Sequence, residues 1–408
     1  MSGIRVNEWL HNSGTGGIWQ TSAGNVGIAS SVPTTKLEVT GDAKISGVST
    51  ATAFIPSAGQ LSHRNLIING AMQVAQYGTS STNVGYKTVD RITSASSGLD
   101  ESPTYAQVDV ASGTTPYTLG FRKAFSITNG NQTGGAGAAD YIELMYKLEA
   151  QDLAKSGWNY VSSSSYVTLS FWCKSSVAQN FYFFLKTSDG TAKQYPFETG
   201  SLTAGAWTKV TKTIPGHSDL TFTNDTGEGI RIDMPVFYGT DKTHSGATLN
   251  AWANYNGAGR TPDNTSTWYT TNDSTFQITG LQLEVGSVAT PFEHRSYADE
   301  LRRCQRYFWK VDDGNYRRIN GYKRHDNNCH WEMQCPVPMR VAPSPTLSDG
   351  GMFTNFQSTY TATQSSPTIG EWNLATGQGL FQVQSTWSST HANIPSWESY
   401  ALEMSAEL

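Results

Sequence analysis

The strongest signal along the chain is alternation of apolar and polar residues. Val167, Leu169, Phe171 and Cys173 interleave with Thr168, Ser170, Trp172 and Lys174, the period of two that a half-buried strand imposes. Ile142, Leu144, Tyr146 and Leu148 repeat it. Phe181-Tyr182-Phe183-Phe184-Leu185 is apolar at every position, as a strand covered on both faces would be. Further strands are predicted around 207–214, 230–238 and 276–285, with one helical turn over 150–155 ended by Gly157. Regular spacing, Gly-rich turns and the lack of long helical periodicity predict an all-β chain whose residues 63–297 form a two-sheet β-sandwich.

One longer helix is expected, over 296–308. Ser296 with Asp299 three residues on has the form of a capping box, and Tyr297, Leu301, Cys304 and Phe308 recur on one face. It links the sandwich to residues 309–408, which return to strand-like composition, are punctuated by Pro336, Pro338, Pro343 and Pro345, and end in a predicted strand over 400–408. Residues 1–62 differ from both. Small residues dominate, and Leu37, Val39, Ile45 and Val48 are the apolar positions of a short ribbon turning at Gly41-Asp42. Such a ribbon has too little surface for its own core and needs partners, other copies of itself or another protein. Ile4, Val6, Trp9, Leu10, Ile18 and Trp19 are its candidate anchors. These side chains either insert into another subunit or pack on the ribbon itself.

Composition narrows the function. Only 15% of residues are charged while 12% are aromatic, which excludes a polyelectrolyte-like disordered chain. A net charge of −5 gives no long-range attraction to phosphate backbones or anionic lipid, so nucleic acid is not the expected partner. No apolar run approaches the roughly 20 residues of a membrane helix, and the first residues lack the basic start and apolar core of a signal peptide. The expectation is a protein made and held in a cytoplasm until release, without membrane insertion. Nine of the 28 basic residues fall between Arg295 and Arg324, yet Asp299, Glu300, Asp312 and Asp313 stand among them, the mixture of a salt-bridged surface or interface.

Catalytic and metal signatures are sparse. Cys173, Cys304, Cys329 and Cys335 form neither a disulfide framework nor a zinc spacing and read as small buried hydrophobes. The eight histidines are scattered and no nucleophile elbow, phosphate loop or His-Glu-x-x-His occurs. A glycan-degrading site would need two carboxylates across a groove, with Glu143, Asp233 and Glu284 as candidates, but the chain is not expected to be an enzyme. Residues 249–275 offer a better chemistry. There Trp252, Tyr255, Trp268 and Tyr269 stand among Asn254, Asn256 and further amides. Flat rings stack on sugar C–H faces while amides satisfy hydroxyls. The same rings could instead pack against the sandwich or a neighbouring chain.

Several segments together resemble bacteriophage tail fibre proteins. Residues 65–76 (NLIINGAMQVAQ), followed by Val89-Asp90-Arg91, resemble the opening of the receptor-binding region of such fibres. Residues 278–294 (ITGLQLEVGSVATPFEH) resemble the closing strand of a carbohydrate-binding-module-type jelly roll, residues 301–308 (LRRCQRYF) the helix after it, and residues 26–42 the stalk units. The resemblance implies a virion structural protein, a homotrimer whose residues 1–62 attach to a tail or portal-proximal protein through an arm and a short stalk built on Leu37, Val39, Ile45 and Val48. It implies a jelly roll over 63–297, a linking helix over 298–308, and a β domain over 309–408, with the β domains meeting a host glycan or protein. No cofactor is expected, although jelly rolls of this kind can hold a structural calcium. The contrasting expectation is an architectural decoration protein of a capsid, collar or tail that touches only other virion proteins.

Overall fold

The computed structural model describes residues 8–10, 17–41, 43, 63–263, 267–311, 317–325, 328–347, 352–355, 358–360, 368–373, 378–384, 396–399 and 402–408, with the backbone alone for 8–10, 311–333 and 347–402. The chain divides into two compact units, residues 1–55 and 56–408.

The first unit holds four short strands, β1 (Glu8–Leu10), β2 (Gly17–Gln20), β3 (Val26–Ile28) and β4 (Leu37–Val39), in that order across one sheet. The second arm of the ribbon expected to turn at Gly41-Asp42 lies outside the described residues; β4 lies parallel to β3, with Val26 opposite Leu37 and Ile28 opposite Val39. The Glu38 carboxylate fixes this return. It accepts from Ser30 Oγ at 2.7 Å and from the Thr34 N–H at 2.8 Å, tying the connection over the edge of the sheet. Gly27 is required there, because a Cβ would stand 2.1 Å from the Ser30 carbonyl oxygen. Ile18 and Ile28 are direct cross-strand partners, and with Leu37 they are exposed at 45%, 41% and 62%. Trp19 is half-buried. Ile4, Val6, Ile45 and Val48 lie outside the described residues, and Trp9 and Leu10 are described by backbone alone.

The second unit contains the sandwich. Its strands are β5 (Ser80–Ser81), β6 (Ile92–Ser97), β7 (Thr104–Asp109), β8 (Lys123–Thr128), β9 (Tyr141–Glu149), β10 (Tyr166–Ser175), β11 (Asn180–Thr187), β12 (Lys193–Ser201), β13 (Thr208–Pro215), β14 (Glu228–Tyr238), β15 (Ala253–Asn254) and β16 (Thr275–Val285). They form two six-stranded antiparallel sheets, β13-β10-β16-β8-β7-β5 and β15-β12-β11-β14-β9-β6, a jelly-roll arrangement. The alternating positions do what their pattern predicts: Val167, Leu169, Phe171 and Cys173 of the first sheet and Ile142, Leu144, Tyr146, Leu148, Phe181, Phe183 and Leu185 of the second share one core. Short helices α1 (Thr115–Thr118), α2 (Ala150–Ala154) and α3 (Thr267–Thr270) sit in the connections.

Helix α4 (Tyr297–Gln305) starts where expected, with the Ser296 hydroxyl accepting from the Asp299 N–H, but its buried face differs. Tyr297 is 56% exposed, and Phe308 has left the helix to open β17 (Phe308–Val311). The buried helical side chains are Glu300 and Cys304. Glu300 is held inside because its carboxylate accepts from the Asn69 N–H and from Arg295 Nη1.

Beyond α4 come β18 (Arg317–His325), β19 (Asn328–Gln334), β20 (Ser344–Leu347), β21 (Met352–Asn355), β22 (Ser358–Tyr360), β23 (Thr368–Asn373), β24 (Gln378–Gln384), β25 (Ser396–Ser399) and β26 (Leu402–Ser405). The ten described strands after the sandwich, β17 to β26, fall into a seven-stranded sheet and a three-stranded sheet β17-β26-β20 that share none. The three-stranded sheet is bound to the sandwich by a buried polar lock. Arg91 is 1% exposed, stacks its guanidinium 3.4 Å over the Tyr307 ring, donates to the Lys147 carbonyl at 2.7 Å and pairs with Glu407. Arg340 donates to the carbonyls of Ala406, Thr226 and Glu407. Lys147 Nζ reaches the Leu408 carbonyl at 2.6 Å. Arg306 and Tyr307 both donate to Glu149, which is fully buried. The segments 65–76 and 89–91 are the other half of this lock. The Asn69 amide donates to the Val74 and Asp90 carbonyls and accepts from the Val74 N–H, while Asp90 accepts from the Gln76 N–H. Three of the four cysteines, Cys173, Cys304 and Cys335, are free and buried.

Candidate functional site

The outward face of the second sheet concentrates the unusual chemistry. Because side chains alternate, Tyr141, Glu143 and Met145 of β9, Arg231, Asp233 and Pro235 of β14, Tyr182, Phe184 and Lys186 of β11 and Gln194 of β12 turn away from the core together. Register brings them side by side: Glu143 opposite Pro235, Phe184 opposite Asp233, and Lys186 opposite both Arg231 and Gln194. A strand face of this kind would ordinarily be wet. Here the connection 239–262 runs over it.

Backbone and amide hydrogen bonds set the path of that connection. Gln194 holds it from both sides, donating to the Gly259 carbonyl at 3.1 Å and accepting from the Asn256 N–H at 3.0 Å. The Tyr255 N–H reaches the Ala192 carbonyl and the Arg260 N–H the Lys242 carbonyl. As a result Arg260 Nη1 lies 3.2 Å from the Tyr238 hydroxyl and 3.8 Å from the Glu143 carboxylate. Tyr238 in turn donates to Glu143. At one end Lys242 Nζ sits 4.4 Å over the Tyr141 ring, and at the other Lys186 Nζ sits 4.6 Å over the Tyr255 ring. Between them Arg231 Nε donates to Asp233 at 2.9 Å.

Burial dominates the electrostatics. Asp233 is fully buried, and desolvation pushes its carboxyl up to about 7 although Arg231 opposes the shift. One of its oxygens, Oδ1, has no hydrogen-bond partner. Burial, aided by Arg231 for Lys186 and by Arg260 for Lys242, holds both ammonium groups below the usual lysine range. Burial and the Glu143 carboxylate raise the Tyr238 hydroxyl. The two carboxylates, 5% and 0% exposed, are thus tied to Tyr238 and Arg231 rather than open to a groove. The half-buried groups, Lys186, Arg231, Tyr255, Lys242, Tyr141 and Arg260, offer charged donors and ring faces. That arrangement suits a polar, ring-containing ligand.

Of the aromatic and amide residues singled out between 249 and 275, only Tyr255 joins this face. Trp268 and Tyr269 are 0% and 1% exposed, which corrects their assignment as sugar platforms: both rings have no open face. Tyr269 stacks 3.8 Å from Phe237 and its hydroxyl donates to Asp140, and Trp268 closes one end of the core. Trp252 is half-buried, donating Nε1 to the Pro215 carbonyl at 2.7 Å beside Tyr195. Asn254 is exposed and accepts from Lys193, whereas exposed Asn256 closes a turn by accepting from the Ala258 N–H. Sequence reasoning named Glu143 and Asp233 only as carboxylates and missed Arg231, Lys186, Lys242, Tyr141 and Arg260. Their signal was the polar member of each alternating pair, Tyr141-x-Glu143 and Arg231-x-Asp233, in strands whose other members are core. Among the described residues no group of three or more His, Cys, Asp and Glu side chains is placed to hold a metal ion, and no helix is long and apolar enough to cross a membrane.

No protein-family model and no curated protein matches the sequence. Among solved structures, the chain is similar to the enzymatically active domain of tailspike protein 4 from bacteriophage CBA120, at 8% identity and a TM-score of 0.28 over 54% of this chain and 21% of that one. It is also similar to the N-terminal cellulose-binding domain of Cellulomonas fimi β-1,4-glucanase C (10% identity, TM-score 0.25, 53% of this chain and 100% of that one). A third similarity is to the family 11 carbohydrate-binding module of Clostridium thermocellum (13% identity, TM-score 0.25, 52% and 98%). The chain spans about a fifth of the tailspike chain, and the jelly-roll assignment rests on the sheet order and register described above.

Proposed function

We propose that the chain is a glycan-binding fibre protein of the bacteriophage type, a homotrimeric virion component that docks through residues 1–62 and meets a host-surface glycan through its second sheet. The observation that carries the binding function is the outer face of that sheet, where Tyr141, Lys186 and Arg231 of the strands and Lys242, Tyr255 and Arg260 of the connection crossing them are half-buried together. Binding without hydrolysis is supported by Glu143 and Asp233, which are buried and held by Tyr238 and Arg231. Self-association of the first unit is supported by Ile18, Ile28 and Leu37, apolar side chains exposed on strands too short to bury them within one chain.

Two measurements test this. Light scattering of the full-length chain is expected to give a mass near three times 44.4 kDa, and Ile18→Asp with Ile28→Asp is expected to lower it. Tyr141→Ala and Tyr255→Ala are expected to weaken adsorption of particles to host cells while the protein stays folded. Unchanged adsorption in both variants would refute the binding face. An architectural role, in which the protein touches only other virion components, is favoured by the inward packing of Trp268 and Tyr269 and predicts that result.

A further inference from the structure

The binding face carries more positive than negative charge. Lys186, Arg231, Lys242 and Arg260 stand against Glu143 and Asp233, with Asp241 exposed at the rim. Glu228, on the same strand as Arg231, also acts on Lys186 and Arg231, but its charge is offset by its own pairing with Lys147, and it accepts from Ser188. Arg231 and Arg260 are occupied by Asp233, Tyr238 and Glu143. Lys186 and Lys242 differ. Each ammonium lies over a tyrosine ring, at 4.6 and 4.4 Å, and among the described residues neither has an ion-pair or hydrogen-bond partner. An ammonium held at a ring face keeps donors free while its position is already fixed, so little side-chain entropy remains to be lost when an anion binds.

The surplus is local. The chain as a whole carries −5, so a positive face is not the spill-over of a basic protein. Buried Asp233, its carboxyl raised to about 7, contributes less than a full negative charge near neutrality, which deepens the imbalance.

Resting on the glycan-binding reading above, we propose that the ligand of this face is an anionic glycan, whose acid groups pair with Lys186 and Lys242 while its rings lie between Tyr141 and Tyr255. Charge-assisted hydrogen bonds are about twice as strong as neutral ones, and half-buried ammonium groups such as these are screened less than fully exposed ones.

The test uses the full-length chain in affinity electrophoresis and calorimetry against four polymers: polygalacturonate, its fully methyl-esterified form, dextran sulfate and dextran. The expected result is binding to an acidic polymer and not to its neutral counterpart, weakening as salt rises from 50 to 500 mM. Lys186→Gln and Lys242→Gln are each expected to lower affinity roughly tenfold, and Lys209→Gln, an exposed lysine on the first sheet, is expected to leave it unchanged. Preference for polygalacturonate or for dextran sulfate assigns the acid as carboxylate or sulfate. Equal binding to charged and neutral polymers would overturn the anionic preference and leave the glycan-binding reading intact. Binding to none of the four would overturn both. Acidic binding unaffected by Lys186→Gln and Lys242→Gln, or lost equally in Lys209→Gln, would overturn the placement.

Discussion

Arg91→Met isolates the lock that binds the last residues of the chain to the sandwich. Arg91 is 1% exposed and its partner Glu407 only 6% at the side chain, so removing the guanidinium leaves a buried carboxylate without its ion-pair partner, with only the more distant charge of Arg340 acting on it. Breaking a buried pair this way costs about 3–5 kcal/mol, most of it the desolvation of the abandoned partner. Loss of the cation–π contact over Tyr307 at 3.4 Å acts in the same direction, at about 1–2 kcal/mol, and the Lys147 carbonyl loses its donor. Methionine keeps most of the aliphatic volume, which separates charge from packing. In urea unfolding followed by tryptophan fluorescence, a loss of about 3 kcal/mol with a slope near 3 kcal/mol per M moves the midpoint down by about 1 M. The decisive control is Arg91→Met with Glu407→Met. If the single variant is destabilised by the orphaned carboxylate, the double variant regains at least half of the loss, since well-packed apolar pairs commonly replace buried ion pairs at little cost. A single variant within about 1 kcal/mol of wild type, or a double variant worse than the single, would refute the argument.

Three further outcomes follow from burial and titration. Asp233 titrates near 7 in the folded chain against 3.8 for a free aspartate, so the fold binds the extra proton between those values and stability falls as pH rises through that window, by at most about 4 kcal/mol; Asp233→Asn should flatten the change in urea midpoint between pH 5 and pH 8, and an unchanged slope would count against it. Glu149 behaves oppositely: burial opposes its charge, but hydrogen bonds from Arg306 and Tyr307 hold its carboxyl below the usual range, so its contribution is present above about 4.5 and is lost as pH falls through the folded value. Glu149→Gln is accordingly expected to cost about 1.5–3 kcal/mol at pH 7 and progressively less towards pH 3, and an equal cost at both would contradict this. Trp268→Ala should lose about 3–5 kcal/mol as a core truncation, clearly more than half-exposed Trp252→Ala in the same assay; equal losses would mean Trp268 is not core.

The sandwich was legible because alternation maps directly onto a core face, and Val167 through Cys173 and Ile142 through Leu148 lie where that rule puts them. The binding face was not, because a polar residue opposite a core residue reads as solvent-facing. Asp233 and Glu143 are buried only because the connection 239–262 crosses above them, and periodicity says nothing about the route of a connection. Trp268 and Tyr269 misled for a related reason. Rings among amides suit a sugar, but they also suit the capped end of a sandwich, and α3 turns these two inward onto Phe237 and Asp140. In α4 a helical apolar pattern was matched by Tyr297 and Phe308, yet the helix buries Glu300, since Asn69 and Arg295 offer a carboxylate more than an aromatic ring could gain there.

Three of the segments that carried the resemblance to phage fibres, 65–76, 89–91 and 301–308, form the lock, while 278–294 supplies β16 and 26–42 lies in the first unit: Asn69, Asp90, Arg91, Arg306 and Tyr307 are buried or bonded to one another's neighbours. Lys186, Lys242, Tyr141 and Tyr255 belong to none of them. The resemblance therefore speaks to how this unit is held together and not to what it binds. Both regions nevertheless share β9 and β14. Lys147, which anchors Leu408, lies opposite Arg231 at the margin of the binding face, and the same strand pairing continues to Glu143 and Tyr141. A strand slip of one residue would exchange core and outer positions along β9 and β14 at once. By pinning the Lys147 end, the lock also fixes the register on which every side chain of the face depends. The connection 239–262 is free of that duty, and substitutions at its exposed positions can alter recognition without loosening the fold.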